Sequence, residues 1–189
     1  NSLTKYAANE GDVMLGCLAF PKHSNVHGEL IDRVRHYIAP PYYRDLGRLA
    51  FEIPHYSKLV EHTNKNLMEL AMFLQSHPSV KKLHWSYSEP FGVNYRKLAG
   101  DEKPGCALAF ELRAGMESFY EKIRILKSPS FGTKFSIICP YVHLAHYELM
   151  QNKRGRNLLA SAGLSSELIR VSVGEEEVQE IISVFSEAL

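Results

Sequence analysis

The sequence lacks a long apolar run and any strong excess of charge of one sign. No apolar run approaches the roughly 18 residues that a membrane-spanning helix requires. The 22 Lys and Arg residues nearly balance the 21 Asp and Glu residues, and the net charge of +1 gives no field that would attract nucleic acid or an anionic membrane. We therefore expect neither a nucleic acid nor a membrane as a partner.

Cysteine is also scarce. The three cysteines, Cys17, Cys106 and Cys139, lie far apart in apolar segments. An odd number of scattered cysteines is typical of buried, reduced thiols in a cytoplasmic protein rather than of a disulfide framework.

His143 and His146 stand three positions apart in a predicted helix, but one pair of histidines does not supply enough ligands for a metal ion. We expect no metal site.

The first part of the chain carries a helical pattern. Apolar residues at helical spacing predict helices over 26–38 and 42–53, and a longer amphipathic helix over 56–74. The apolar stretch 12–20 is predicted as a buried strand because glycine and proline bound it. A domain boundary is expected near Pro54, so that the longest helix starts the second part.

The second part alternates strands with helices. This order is typical of an α/β layer in which helices pack on a small sheet. A polar basic stretch, 152–156, is predicted as a solvated loop. The strands are predicted over 80–85, 105–112, 135–139 and 168–173. The helices are predicted over 116–126, over 142–150 and directly after Gly174, with Glu175, Glu176 and Glu177 in the first turn of the last one.

A lysine close to two hydroxyl residues stands near the start of the chain. Lys5 follows Ser2 and Thr4. A lysine amine forms a Schiff base with an aldehyde, and its pKa falls when it is desolvated or placed beside another cation. Pyridoxal phosphate is the cofactor that uses such a lysine, and hydroxyl groups suit its phosphate. Taken alone, the pattern is more typical of a solvated surface lysine, since Ser and Thr near Lys are common in loops.

Three stretches, in order, resemble the Cys/Met-metabolism family of pyridoxal-phosphate enzymes, which includes cystathionine synthases and lyases, methionine lyases and homoserine sulfhydrylases. Residues 2–16 are similar to the cofactor-lysine segment, 130–146 to the Ser-Leu-Gly-Gly segment and 168–175 to the closing arginine strand. The resemblance implies the C-terminal part of an aspartate aminotransferase-like α/β fold. Residues 1–55 would end the large cofactor-binding domain, and 56–189 would form the C-terminal domain.

The resemblance also implies roles for five side chains. Lys5 would form the Schiff base with pyridoxal 5'-phosphate and move protons on the substrate, and Ser2 and Thr4 would bind the phosphate. Arg170 would bind the substrate α-carboxylate through two parallel hydrogen bonds, which a lysine cannot match. Ser130 would orient the lysine amine or the carboxylate. Taken alone, Arg170 also fits a surface salt bridge, and Ser130 a turn cap.

The implied activity is β- or γ-elimination, or γ-replacement, on a sulfur amino acid or an O-acylhomoserine, with cystathionine γ-synthase chemistry favoured. The chain is expected to be part of a longer enzyme. Its N-terminal region would supply the phosphate loop, the ring-stacking tyrosine and the aspartate that holds the pyridine nitrogen protonated. The whole enzyme is expected to be a tetramer of tight dimers.

Several positions depart from the family pattern. Residues 9–11 read Asn-Glu-Gly in place of the usual Gly-His-Ser, and 51–55 stand where the family usually has Arg-Gly-Leu-Lys-Thr. Thr133 replaces the second glycine of the Ser-Leu-Gly-Gly segment, and Phe135 an acidic residue. These departures motivate one alternative, a catalytically degenerate member that serves as a structural or regulatory subunit. A further alternative is that the chain is one fragment of a split enzyme.

Overall fold

The structure, a computed structural model, describes residues 1–21, 23 and 27–189, without the side chain of His27. It divides into two compact units, Asn1–Tyr56 and Ser57–Leu189. In the described part of the chain, no helix combines the length and apolar character needed to cross a bilayer. The helices are α1 (His27–Tyr37), α2 (Tyr43–Glu52), α3 (Tyr56–Ser76), α4 (Gly92–Ala99), α5 (Met116–Lys122), α6 (Tyr141–Ala145), α7 (Tyr147–Met150), α8 (Lys153–Ser161) and α9 (Val178–Ala188). The strands are β1 (Val80–His84), β2 (Ala107–Leu112), β3 (Leu126–Lys127), β4 (Ile137–Pro140) and β5 (Leu168–Ser172).

The first unit contains the helices predicted over 26–38 and 42–53, found as α1 and α2, with residue 26 outside the described residues. The buried strand predicted over 12–20 is wrong. Val13 is buried, but Met14 and Leu18 are exposed, and the stretch forms only an isolated bridge. An apolar run predicts a strand only where neighbouring strands satisfy its backbone, and here the pairing is limited to a few residues near the start of the chain.

The second unit is built on one five-stranded sheet with the order β1-β2-β5-β4-β3. Its pairs are antiparallel except for β3 and β4, which run parallel. Side chains alternate between the two faces of each strand, because successive residues of a strand point to opposite sides. The predicted α/β layer with helices packed on a small sheet is confirmed.

One face of the sheet carries the main core, and the other a smaller one. The rings of Phe110, Phe119 and Phe185, from β2, α5 and α9, meet with centroids 5.7–6.1 Å apart. The buried residues of α3 that join this core are Leu67, Leu70, Ala71 and Leu74. The smaller core combines Val142 of α6, Leu159 of α8 and Leu168 of β5. Helices therefore cover both faces of the sheet, and the side chains on the second face lie beside α6–α8.

Three sequence-based boundaries in the second unit are wrong. The basic stretch 152–156 is the start of α8, because the Asn152 side chain accepts the Gly155 N–H at 2.8 Å and caps the helix. The helix predicted over 116–126 ends at Lys122, and the one over 142–150 is divided at His146.

The last helix also starts later than predicted. The three glutamates after Gly174 precede α9, which begins at Val178. Glu176 accepts hydrogen bonds from the backbone N–H of Ser136 at 2.6 Å and from its hydroxyl at 2.9 Å. This carboxylate therefore ties the start of β4 to the turn before α9 instead of lying in the first turn of the helix.

Candidate functional site

The segment that carries Lys5 is held by backbone pairing within the first unit. The N–H groups of Leu3 and Thr4 donate to the Leu15 carbonyl at 2.8 and 3.2 Å, and Ser2 bridges Gly16. The Thr4 hydroxyl accepts the Leu15 N–H at 3.0 Å and donates to the Leu15 carbonyl at 3.3 Å. The segment is therefore fixed on both sides of Thr4, immediately before Lys5.

A tight turn and a small apolar cluster follow. The Lys5 carbonyl accepts the Ala8 N–H at 2.9 Å, which closes a turn directly after the lysine. Ala7 and Ala8 are buried against Val13 and against Leu49 of α2. Lys5 itself is half-buried, and the turn that follows it is packed against this cluster.

The donor set of this segment fits a phosphate-bearing aldehyde. It combines one primary amine, that of Lys5, with the exposed hydroxyl of Ser2 and the hydroxyl of Thr4. The Thr4 hydroxyl makes two hydrogen bonds, and the longer one is the bond that it donates to the Leu15 carbonyl. An anion can accept this hydroxyl proton in place of the carbonyl, while the Thr4 oxygen keeps the 3.0 Å hydrogen bond from the Leu15 N–H. Ser2, Thr4 and Lys5 lie within one short stretch of the first unit, and their roles stay predictions.

Arg170 lies at the centre of β5, and two aromatic rings lie near its guanidinium. Its guanidinium carbon is 4.9 Å from the Phe131 ring centroid and 5.0 Å from the Tyr141 ring centroid. Its cross-strand neighbours are Ala109 on β2 and Cys139 on β4. Both neighbours are small, which leaves room on this face of the sheet for the long side chain and the two rings.

The charge of Arg170 has no carboxylate partner among the described residues. The sequence alone also allowed a surface salt bridge for Arg170, and the described residues form no such bridge. Burial raises the pKa of the neighbouring Cys139 thiol, and the positive charge of Arg170 offsets only part of that rise. The thiol thus stays neutral at physiological pH and does not neutralise the guanidinium.

Ser130 is exposed and stands directly before Phe131, in the loop that leads to β4. Its backbone N–H donates to the Ser128 hydroxyl at 3.3 Å. Ser130 thus lies one position before the residue whose ring is near Arg170. Ser130 and Arg170 belong to the second unit, and Lys5 belongs to the first.

A second charged group in the first unit surrounds Glu52, the last residue of α2. Arg48 Nε donates to Asp12 Oδ2 at 2.7 Å and lies 2.6 Å from Glu52 Oε1. Because Nε carries one hydrogen, which is directed at Asp12, Glu52 Oε1 has no hydrogen-bond partner among the described residues. Glu52 is 2% exposed, and burial, followed by the nearby charge of Asp12, raises its pKa.

Sequence reasoning did not find Phe131, Tyr141 or the Arg48–Glu52 pair. Phe131 directly follows a predicted site residue, and Tyr141 follows the proline that ends β4, but neither position by itself indicates a ring beside an arginine. Arg48 and Glu52 are four apart on a predicted helix, which is a usable signal for an ion pair. Their contact with Asp12 depends on tertiary structure.

The comparisons with known proteins agree on one family. A family model described as "Cys/Met metabolism PLP-dependent enzyme" matches residues 55–189. The L-2-amino-4-chloropent-4-enoate dechlorinase/desaturase of Streptantibioticus cattleyicolor is 34% identical over 99% of the chain and 38% of its own length. The cystathionine gamma-synthase of Neurospora crassa is 29% identical over all of the chain and 30% of its own length.

A solved structure gives the fold. A cystathione gamma lyase from Micromonospora echinospora superposes with a TM-score of 0.83 at 21% identity, over the whole chain and 49% of its own. The predicted fold class is confirmed by this likeness. The chain spans less than half the length of each of these proteins.

Proposed function

The chain belongs to the Cys/Met metabolism PLP-dependent enzyme family, and from that premise we propose that it forms the C-terminal part of an enzyme acting at the γ-carbon of an α-amino acid. The names of the two relatives support the γ-carbon. One relative removes chlorine from C4 of a 2-amino acid, and the other is a gamma-synthase. The proposed reaction is γ-elimination or γ-replacement on a sulfur amino acid or an O-acylhomoserine.

Three side chains of the first unit would hold the cofactor. The Lys5 amine would hold its aldehyde carbon covalently, and the hydroxyls of Ser2 and Thr4 would donate to its phosphate. When bound, pyridoxal 5'-phosphate supplies an electron sink that stabilises a carbanion at the substrate α-carbon. The Lys5 amine, once free, would take the proton from that carbon and return it later in the reaction, which requires it to stay within hydrogen-bond reach.

The surroundings of Arg170 carry the proposal for the substrate. With Phe131 and Tyr141 beside it, the guanidinium offers its N–H edge, which matches the two oxygens of a carboxylate in one plane. Among the described residues no carboxylate already occupies that edge. Arg170 would bind the α-carboxylate of the amino acid, and Ser130, beside Phe131, would help to orient it.

We also propose the domain roles that the resemblance implies. Residues 1–55 would end the large cofactor-binding domain, and 56–189 would form the C-terminal domain. Exposed apolar side chains in the first unit, such as Met14 at 83% and Tyr37 at 87%, suit a surface that further chain or a second copy covers. The natural protein is proposed to be cytoplasmic, in keeping with described cysteines that form no disulfide. It is also proposed to be a homotetramer, as the family resemblance implies.

The experiment that tests the substrate proposal replaces Arg170 in the natural protein that carries this chain. Arg170→Lys keeps the charge but loses the two parallel bonds, so KM for the amino acid should rise about tenfold to a hundredfold with a smaller change in kcat. Steady-state kinetics with cystathionine, methionine and an O-acylhomoserine give the two constants.

The matched control is Arg124→Lys, because Arg124 forms an exposed ion pair with Glu187 on the same unit. Its constants should equal those of the wild type. Unchanged kcat/KM in Arg170→Lys would rule Arg170 out as the carboxylate-binding residue. Absence of turnover in the wild type with all three substrates would favour the structural or regulatory subunit instead.

A further inference from the structure

One face of α2 contacts the segment that follows Lys5. Three of its side chains recur at helical spacing, and each reaches a different residue within 10–14. Leu49, on the same helix, adds the apolar contact with the turn after Lys5. The polar contacts are Asp45 Oδ2 with the Met14 N–H at 3.2 Å, Arg48 Nε with Asp12 Oδ2 at 2.7 Å, and Glu52 Oε2 with the Glu10 N–H at 3.4 Å.

The contact between Glu10 and Glu52 joins two departures from the family pattern. Residues 9–11 replace the usual Gly-His-Ser, and Glu52 belongs to the stretch 51–55 that replaces Arg-Gly-Leu-Lys-Thr. The two unusual stretches therefore meet in this chain through the Glu52 carboxylate. A direct contact between two changed segments suits a compensating arrangement, in which each change supports the other.

Stability alone is a weak explanation for the buried Glu52. Burial of a carboxylate costs free energy, and an ion pair with a partner as exposed as Arg48, whose side chain is 40% exposed, contributes little in return. Glu52 is almost fully buried and has one carboxylate oxygen without a hydrogen-bond partner among the described residues. The Glu52 carboxylate does hold its neighbours in place. It accepts a hydrogen bond from the Glu10 N–H, and Arg48 contacts both Glu52 and Asp12.

We propose that Arg48 and Glu52 are positioning residues for Lys5. They hold residues 10–12 against α2, and the turn from Lys5 to Ala8 is anchored directly before those residues. The lysine amine is thereby kept in one place without contact between either residue and the cofactor. This inference rests on the proposed role of Lys5 as the residue that holds pyridoxal phosphate.

The test uses variants that retain packing but remove the polar contacts. Glu52→Leu should fold, since the replacement is apolar and of similar volume. Arg48→Met leaves the Glu52 carboxyl without its cation, but burial already raises the pKa of this carboxyl, so it can keep a proton and stay neutral. Both variants should weaken retention of added pyridoxal phosphate about tenfold or more, because small displacements of a reacting group have large effects. Arg48→Lys and Glu52→Gln should keep most of the affinity. The control is Arg33→Met, which breaks the exposed ion pair of Arg33 with Glu29 on α1 and should keep the full affinity for pyridoxal phosphate.

A second measurement does not depend on the cofactor. In its absence, acetylation of Lys5 by acetic anhydride is followed against pH by mass spectrometry of the Lys5 peptide. Arg48→Met and Glu52→Leu should change the labelling profile of Lys5, whereas Arg33→Met should not. Circular dichroism confirms that each variant retains its helices.

The outcomes separate this inference from the proposed function. Wild-type cofactor affinity in both Arg48→Met and Glu52→Leu overturns the inference, whatever the labelling profile. An equal loss in Arg33→Met overturns it as well, because the effect would then be general to the unit. If the wild type places no cofactor on Lys5, the proposed function fails, and the labelling profile alone decides: a changed profile supports positioning, and an unchanged one overturns it.

Discussion

At the scale of the residue, Arg170 differs from the other described arginines in what surrounds its guanidinium. Arg33, Arg48 and Arg124 each pair with a carboxylate, and Arg44, Arg48 and Arg96 each lie 4.5–5.8 Å from one aromatic ring centroid. Arg170 instead has two ring centroids near its guanidinium, at 4.9 and 5.0 Å. A cation beside the face of an aromatic ring is attracted by the electrons of the ring. The rings of Phe131 and Tyr141 therefore fix the guanidinium while its N–H edge stays available.

This arrangement predicts an effect of the ring itself. Phe131→Leu removes the ring but keeps an apolar side chain, and the lost attraction of about 0.5–2 kcal/mol should raise KM for the amino acid about twofold to thirtyfold. Phe131→Tyr keeps the ring and should preserve KM. Steady-state kinetics of the two variants provide the comparison. Equal constants in both would mean that the Phe131 ring does not hold Arg170.

The thiols give a second prediction at this scale. Cys106 and Cys139 are buried, as predicted, but the prediction is wrong for Cys17, which is half-buried. Burial raises the pKa of Cys139, with the charge of Arg170 in partial opposition, and only the thiolate reacts quickly. With iodoacetamide at pH 8, Cys139 should be modified at least about tenfold more slowly than Cys17. Mass spectrometry of the separate peptides measures both rates, and equal rates would show that Cys139 is open to solvent.

At the scale of the element, the turn between β5 and α9 depends on a close approach at Gly174. A Cβ there would overlap the backbone of Lys134 and Phe135 and the carboxylate of Glu176. The Gly174 carbonyl and the Glu176 carbonyl both accept from Asn66 Nδ2, at 3.0 and 2.8 Å. Any displacement of the turn therefore disturbs a buried polar network as well as the packing.

Gly174→Ala should consequently lower the free energy of unfolding by about 1–3 kcal/mol. Gly47→Ala is the control, because Gly47 lies within α2 and a Cβ there would have no neighbour within 4 Å. That change should be neutral or stabilise by up to about 1 kcal/mol. Urea unfolding followed by circular dichroism measures both. A stability of Gly174→Ala equal to that of the wild type would contradict the close approach.

The sequence was most informative where one helix face has a long, regular apolar period. The helix predicted over 56–74 is α3, and its predicted apolar stripe is buried except for Val60, which is partly exposed. Met72, on the same helix, is 63% exposed and lies outside this buried stripe. Shorter signals failed where tertiary contacts decide: the run 12–20 has too few pairing partners to form a strand, and Asn152 caps a helix where the basic residues suggested a loop.

In the candidate site, too, the sequence could identify some residues and not others. Lys5 and Arg170 stand in stretches whose residue order carries the family resemblance, so they could be named from the sequence. Phe131 and Tyr141 reach Arg170 only because β4 and β5 are adjacent, and strand order is not encoded in any short motif. The contact of Glu52 with Glu10 spans 42 positions, which periodicity within one helix cannot indicate.

At the scale of the whole molecule, the second unit has a two-sided α/β architecture, whereas the described part of the first unit has the helices α1 and α2 and one isolated bridge. The buried apolar cluster of the first unit consists of Ala7, Ala8, Val13 and Leu49. A cluster of this size gives little stability to a unit that exposes Met14 and Tyr37. The chain covers 38% and 30% of its two relatives, so further protein around the first unit is part of the proposal.

The central claim is that Lys5 holds pyridoxal phosphate in the natural protein. The measurement is the visible absorbance spectrum before and after borohydride, with the modified peptide located by mass spectrometry. We predict a violet-absorbing band that borohydride removes and a cofactor mass fixed on Lys5. Both should be lost in Lys5→Ala. Both should be retained in the control Lys65→Ala, because Lys65 forms an exposed ion pair with Glu61. A protein that shows no such band with added cofactor, or a Lys5→Ala variant that retains turnover, would contradict the claim.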